Sequence, residues 1–469
     1  MSEEFLSHCR HIAGEPFVLT SAADMAPFLD DWRGRYTGKA LAVLRPADTE
    51  QVAQLVKACA QWRVPLVPQG GRTGLVLGSV PDDSGTAVVL SLSRMNKVRS
   101  IDAVNRTMTV DAGCILQHVQ DAAALHDCLY PLSMASEGTC TIGGNLSTNG
   151  GGTGVLRYGN ARELCLGLEV VTPQGDIWSG LRGLRKDNTG YDLRDLFIGA
   201  EGTLGVITAA VLKLYPLPKA SSTALVALGT ARDALDLLTL AQDRCGACLT
   251  AFELMSDVCL QLVGSQFPEL PKPFSRPHGQ YVLLELDSCE SSQHANGMLE
   301  QTVSIALDRG IARDAVVAAS EAQSRGLWNL REHISMAQAK AGKNIKHDIS
   351  VPISRIARFI GATDAKLRDA FPGVVLVTFG HLGDGNLHYN VGPPAGVPHD
   401  EFLANQAAVN RIVHDQVDAF GGSISAEHGI GALKRDELSR YKSPVEMAMM
   451  RAIKATLDPL GIMNPGKIF

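Results

Sequence analysis

Eight of the 22 residues from Gly138 to Gly159 are glycine, and no other feature limits the possible folds of this chain so strongly. A stretch with so few Cβ atoms has little helix or strand preference of its own, since each glycine loses more backbone entropy on ordering than any other residue. Such a stretch is suited to close backbone approach. A second element of the same kind, Pro68-Gln69-Gly70-Gly71-Arg72-Thr73-Gly74, follows directly on the apolar PLV of a predicted strand. Paired glycines let consecutive N–H groups turn toward one point and form an anion nest. Either loop alone is compatible with a plain turn, but two together suit a pyrophosphate. No position fits GxGxxG, which argues against a Rossmann-type nicotinamide site.

Around these loops the text reads as α+β. ALAVLRP is an apolar strand ended by proline, Thr49 is placed to cap a helix carrying Val52, Leu55, Val56 and Cys59, and PLVPQGG returns as a strand. Further strands are expected at TAVVLSLS and TMTVDAG and a helix at ILQHVQDAAALH. This predicts an N-terminal segment over 1–37, a first domain over 38–219, a second α+β domain over 220–412 and a C-terminal segment over 413–469 that packs back on the body.

Composition narrows the function classes. With 469 residues, 45% hydrophobic and 20% charged, the chain is globular, and its net charge of −6 has no long acidic or basic runs. Neither nucleic acid nor an anionic membrane surface is the expected partner. The first residues lack the layout of a signal or transit peptide, and no run of about 18 apolar residues follows, so a cytoplasmic protein without a membrane span is expected. The ten cysteines have no regular spacing. Cys245-Gly-Ala-Cys248 has no second CxxC to complete a zinc site and reads as a turn between a helix and the strand LTAFEL.

His381-Leu-Gly-Asp-Gly-Asn-Leu-His388 sets two histidines seven residues apart around a Gly-Asp-Gly turn. Strands entering and leaving that turn would bring both imidazoles to one end of a hairpin. With Glu427 of Ser-Ala-Glu-His-Gly they form a candidate set of two histidines and one carboxylate, which leaves coordination positions open for substrate. Backbone hydrogen bonds from the two histidines are the plainer alternative. Leu327–Ser335 is helical text in which Arg331 and Ser335 share a face at i and i+4. Lys346 opens a strand on which Lys346, Asp348 and Ser350 share a side.

PQGGRTG, IGGNLSTNGGG, LRYGN, RKDNTGYDLRDLFIGAEGTLGVIT and the tail LDPLGIMNPGKIF resemble the FAD-binding fold shared by vanillyl-alcohol oxidase and p-cresol methylhydroxylase, from about residue 38 to the end. The resemblance implies a two-part PCMH-type FAD-binding domain, an α+β substrate-capping domain and a C-terminal segment completing the active site. Its cofactor contacts fall on Gly70, Gly71, Arg72, Thr73, Gly74, Ser136, Gly138, Gly143, Gly144, Thr148, Asn149 and Ile207. Relatives with covalent flavin often carry histidine in the first loop; Arg72 stands there, so FAD is expected to bind non-covalently. Leu77 departs from the family pattern, where a glycine is common.

GHLGDGNLH and SAEHG resemble the metal-binding segments of the D-2-hydroxyacid dehydrogenase branch. That implies a divalent ion, zinc or manganese, on His381, His388 and Glu427, with His428 as base. LWNLRE and KHDISVP resemble the D-2-hydroxyglutarate dehydrogenases, which implies a substrate site of Arg331, Ser335 in place of the usual threonine, Lys346, Asn386 and His428. Two cations beyond the metal fit a dicarboxylate better than lactate. The expected activity is FAD- and metal-dependent oxidation of a D-2-hydroxy acid, with D-2-hydroxyglutarate first and D-lactate, D-malate or glycolate as alternatives. Electrons would leave to a quinone, a cytochrome or an electron-transfer flavoprotein, and a homodimer is expected. A flavoprotein without net redox, like the ether-lipid synthases, would lack the metal set, and so would a non-catalytic flavin subunit.

Overall fold

The computed structural model describes residues 2–469 and divides into two compact units. The first comprises the chain up to Gly151, Gly159–Leu217 and His428–Phe469; the second comprises Gly152–Tyr158 and Pro218–Glu427.

In the first unit, the strands Val18–Leu19, Ala42–Leu44, Val88–Ser91 and Leu66–Gln69 lie side by side in that order, and the last three run parallel. Parallel neighbours need a crossover. The helix Thr49–Trp62 supplies one, burying Val52, Leu55, Val56 and Cys59. Its cap differs by one residue from the expectation: the Asp48 carboxylate accepts the Gln51 N–H, which frees the Thr49 hydroxyl to donate to Glu169 Oε1 at 2.6 Å. A five-stranded antiparallel sheet orders Val98–Asp102, Thr107–Asp111, Val206–Lys213, Cys165–Val171 and Ile177–Gly180. The C-terminal part adds helices Arg435–Tyr441 and Pro444–Leu457. The tail then runs beside Leu66, which donates to Ile462 and accepts from Asn464.

The second unit is built on a seven-stranded antiparallel sheet with the order Ala312–Val317, Ala220–Leu228, Gln280–Ser288, Leu249–Ser256, Val375–His381, Asn386–Gly392 and Asp348–Ser350. Strand residues Leu225, Met255, Leu283 and Phe379 form one core with Leu327, Leu330 and Ile334 from the helices above them. The boundary expected at 412/413 falls inside the helix Gln406–Ala419. Val409, Val413 and Val417, spaced four apart, bury one continuous helical stripe, so the chain does not break there. Cys245 ends a helix and Cys248 lies in the short turn before the next strand. All ten cysteines are free thiols.

Candidate active site

The first glycine loop leaves the strand Leu66–Gln69 and meets the second loop backbone to backbone. A Cβ on Gly70 would stand 2.3 Å from Thr141 Oγ1, and one on Gly71 would stand 2.1 Å from the Thr139 carbonyl. Only glycine permits that approach. Gly143 is fixed to the neighbouring sheet, its N–H donating to the Ala112 carbonyl at 2.7 Å. The structure thus brings Gly70 and Gly71 beside Thr139–Gly144, as the paired-loop expectation requires. Thr141 Oγ1, buried in this cradle, has no protein hydrogen-bond partner. An unsatisfied hydroxyl in a backbone-lined recess suits a polar ligand such as a pyrophosphate, so the residues fit the FAD that the family resemblance implies.

The other expected cofactor residues divide by what their side chains do. Thr148 donates its hydroxyl back to the Gly144 carbonyl, and Asn149, at φ +52°, accepts the Arg162 N–H on its side-chain oxygen. Both brace the loop. The Ser136 carbonyl accepts from Thr139 and Cys140, closing the turn that contains Gly138. Thr73 and Gly74 continue the first loop, and Ile207 is buried in the strand Val206–Lys213. Arg72, with φ +59°, lays its guanidinium 5.6 Å from the Phe28 ring centroid. Leu77 adopts φ +63°: the backbone keeps the left-handed turn that glycine takes freely, at the expense of a leucine held there.

In the second unit, Val375–His381 and Asn386–Gly392 form the expected hairpin. Gly385 makes its turn at φ +90°, where a Cβ would stand 2.5 Å from the Val351 carbonyl. His381 and His388 come together with Glu427, their ligating atoms all within 4.8 Å of one another. The antiparallel register pairs His381 with Glu253 on the adjacent strand, so both side chains stand on one face. His381 Nδ1–H donates to Glu253 Oε1 at 2.6 Å, which turns Nε2 toward Glu427 Oε1, 3.2 Å away. A carboxylate on the far ring nitrogen is the arrangement that orients a metal-ligating histidine.

Glu253 is fully buried and was not singled out from the sequence. Its signal was there: a lone charge inside LTAFELM demands a buried partner. Burial pushes its carboxyl up, but His381 and Arg331 overcome this and hold it at about 2. Burial would lower His381, yet Glu253 and Glu427 raise it to about 10. His388 is depressed to about 4, mainly by burial, so its ring is neutral near pH 7. Glu427 Oε1 is buried and, despite His381 at 3.2 Å, has no aligned hydrogen bond. Two imidazoles and an under-satisfied carboxylate are a fitting donor set for a divalent ion, which would displace the proton that His381 Nε2 otherwise holds toward Glu427.

Asp348, also without a role in the sequence reading, organises the edge of this cluster. Its Oδ2 accepts the Glu427 N–H at 2.9 Å and its Oδ1 accepts Asn386 Nδ2 at 2.9 Å. Asn386 Nδ2 also donates to the Ile349 carbonyl, while Asn386 Oδ1 is buried with no protein partner.

The remaining expected substrate residues are arranged differently from the one-dimensional reading. Arg331 is only 8% exposed, donates through Nε to Glu253 Oε2 at 2.8 Å and lies 4.9 Å over Phe379. The helix is interrupted at His333, whose Nδ1 bonds the Asn329 carbonyl. Ser335 therefore belongs to a second helix and is exposed, so it does not share the buried face of Arg331. Lys346 is exposed and precedes the strand Asp348–Ser350 instead of opening it. His428 is half-buried and follows Glu427 as the first residue returning to the first unit.

Residues 40–180 match the FAD binding domain family, and residues 217–468 match the family described as FAD linked oxidases, C-terminal domain. Among solved structures, p-cresol methylhydroxylase shares the fold with a TM-score of 0.76 at 17% identity, covering 99% of this chain and 96% of that one. An alkyldihydroxyacetonephosphate synthase shares it with a TM-score of 0.73 at 16% identity, covering 99% and 84%. The chain belongs to the FAD-linked oxidase family with a PCMH-type fold. Within it, the chain falls in the branch of FAD-dependent D-2-hydroxyacid dehydrogenases. D-2-hydroxyglutarate dehydrogenase of Xanthomonas citri pv. viticola is 40% identical over 96% of this chain and 93% of its own length. The enzyme of that name from Stutzerimonas stutzeri is also 40% identical, over 96% of each chain. The mitochondrial one of Arabidopsis thaliana is 36% identical, over 99% and 81%. Among the described residues, no helix is long and apolar enough to cross a membrane.

Proposed function

We propose that this protein oxidises D-2-hydroxyglutarate to 2-oxoglutarate with non-covalently bound FAD and a divalent metal ion, zinc or manganese, and passes the electrons to an external acceptor. The observation that carries the metal part is the set His381, His388 and Glu427, with ligating atoms within 4.8 Å of one another and His381 oriented by Glu253. The substrate follows from the full-length likeness to D-2-hydroxyglutarate dehydrogenases. When bound, FAD at the glycine loops would supply the hydride acceptor, and an ion held by His381, His388 and Glu427 would lower the pKa of the alcohol toward that of an imidazole.

The chain's own residues account for the rest. A base must take the hydroxyl proton as the C–H hydride departs. His428 is the candidate, as the resemblance of SAEHG to the D-2-hydroxyacid dehydrogenases implies, and it directly follows Glu427 in the chain. Asn386 has both amide hydrogens engaged, so it offers only the acceptor Oδ1, which would repel a carboxylate and leaves the one hydroxyl proton to the base. Arg331 has spent Nε on Glu253 and offers its two terminal nitrogens. With exposed Lys346 it is assigned to the distal carboxylate, Ser335 lying on the next helix and off the face of Arg331. The acceptor is a quinone, a cytochrome or an electron-transfer flavoprotein, and the protein is a homodimer in this proposal.

The test is a steady-state comparison of D- and L-2-hydroxyglutarate, D-lactate, D-malate and glycolate with a dye acceptor. D-2-hydroxyglutarate should have the highest kcat/KM. Lys346→Ala should reduce it by about 10- to 150-fold, the equivalent of one charge-assisted hydrogen bond, with D-lactate little affected. Equal losses on both substrates would contradict the distal-carboxylate assignment, and activity on the L form alone would contradict the hand.

A further inference from the structure

Glu201, in the first unit, opens the Glu-Gly-Thr-Leu-Gly run and is a buried carboxylate on a left-handed backbone, φ +50°. Both features are unfavourable in isolation, and a residue of this type persists only where its surroundings over-determine it. They do so here. The Glu201 N–H donates to the Ser147 carbonyl at 2.8 Å, and the Glu201 carbonyl accepts Asn464 Nδ2 at 2.7 Å, which also holds the Gly78 carbonyl.

What this anchored carboxylate grips is the backbone just after His428. Oε1 accepts the Ile430 N–H at 2.7 Å and Oε2 accepts the Gly431 N–H at 2.8 Å. The fit leaves no space: a Cβ on Gly429, itself at φ +79°, would stand 2.8 Å from Oε1. The far side of the loop is fixed as well, through Ala432 N–H to the Val76 carbonyl and Ile468 N–H to the Gly431 carbonyl. Burial holds the Glu201 carboxyl above the usual carboxylate range, and the two amides, Lys434 and Lys467 offset only part of that rise. The ionised form is the one able to accept both N–H groups.

We infer that Glu201 is a positioning residue, which fixes the Gly429–Gly431 backbone through both carboxylate oxygens and so sets the direction from which His428 meets the substrate. The inference rests on the reading of His428 as the base. Glu201→Gln keeps the size but replaces one acceptor by an amide that faces an N–H group.

The holoenzyme variants are compared by anaerobic single-turnover flavin bleaching and by hydrogen–deuterium exchange of the peptide spanning Ile430 and Gly431. Glu201→Gln should slow bleaching about 10- to 100-fold at saturating substrate with KM within about threefold, and should speed exchange in that peptide. Combined with His428→Ala, it should be no slower than His428→Ala alone, because the two act as one unit. A wild-type bleaching rate in Glu201→Gln beside a slow His428→Ala would overturn the positioning role, and so would losses that multiply in the double variant. A wild-type rate in His428→Ala would instead overturn the base reading, and the role of Glu201 with it. Should Glu201→Gln fail to fold, Gly429→Ala presses a methyl group on the same oxygen; the same slow bleaching supports the inference, and a wild-type rate overturns it.

Discussion

The glycine cradle of the first unit and the histidine cluster of the second are built on opposite principles. The cradle is made of backbone. Its two loops touch where Gly71 meets the Thr139 carbonyl and Gly70 meets the Thr141 hydroxyl, and its specificity lies largely in the side chains that are missing at Gly70 and Gly71. The cluster is made of side chains, and its geometry is held by partners far away in sequence: His381 is oriented by Glu253, 128 residues earlier, and Glu427 is pinned through its N–H by Asp348, 79 residues earlier. A backbone site tolerates changes in its side chains, whereas a side-chain site depends on each one.

That contrast is sharpest at the proposed metal ligands. Glu427→Ala or His388→Ala should reduce turnover below about one-thousandth while leaving bound flavin at one per chain, read from the absorbance of gel-filtered protein. Loss of flavin in proportion to activity would show that the two regions are not independent.

His428→Ala should slow flavin bleaching by about 100-fold with metal content near normal, as for loss of a general base. Metal lost in step with rate, measured by elemental analysis, would make His428 a ligand instead.

A smaller effect is expected one layer out. Glu253→Gln should weaken metal retention by about 10- to 100-fold in a competition with a chromogenic chelator, because His381 loses its orienting carboxylate. Unchanged affinity would mean that packing alone holds the imidazole.

The smallest effect belongs to the backbone region. A left-handed leucine costs about 1–2 kcal/mol, and glycine in its place returns about 0.5–1 kcal/mol through unfolded-chain entropy. The backbone terms alone should therefore stabilise Leu77→Gly by about 0–1.5 kcal/mol in urea unfolding, with FAD binding retained. Destabilisation would show that the half-buried Leu77 side chain contributes more by packing than its backbone costs.

The same contrast explains what the sequence made legible. The loops, the parallel strands flanking Thr49–Trp62 and the His381–His388 hairpin were readable, because each is a local pattern of glycines, apolar runs or turn residues. Glu253 and Asp348 were not assigned roles, since their partners are set by strand order in a seven-stranded sheet. Arg331 and Ser335 were placed on one face because helical text gives no sign that His333 will bond the Asn329 carbonyl and interrupt the helix. The 413 boundary failed for a related reason: the stripe of Val409, Val413 and Val417 runs through it, a periodicity easily overlooked beside the proline- and glycine-rich tail.

The most direct test of a metal-assisted, FAD-dependent oxidation is anaerobic flavin bleaching by D-2-hydroxyglutarate before and after exhaustive chelation, with metal content followed by elemental analysis. The account predicts that the metal-free protein keeps its flavin spectrum, bleaches at least about 100-fold more slowly and recovers when zinc or manganese is returned. Bleaching at the original rate in protein shown to be metal-free would contradict it.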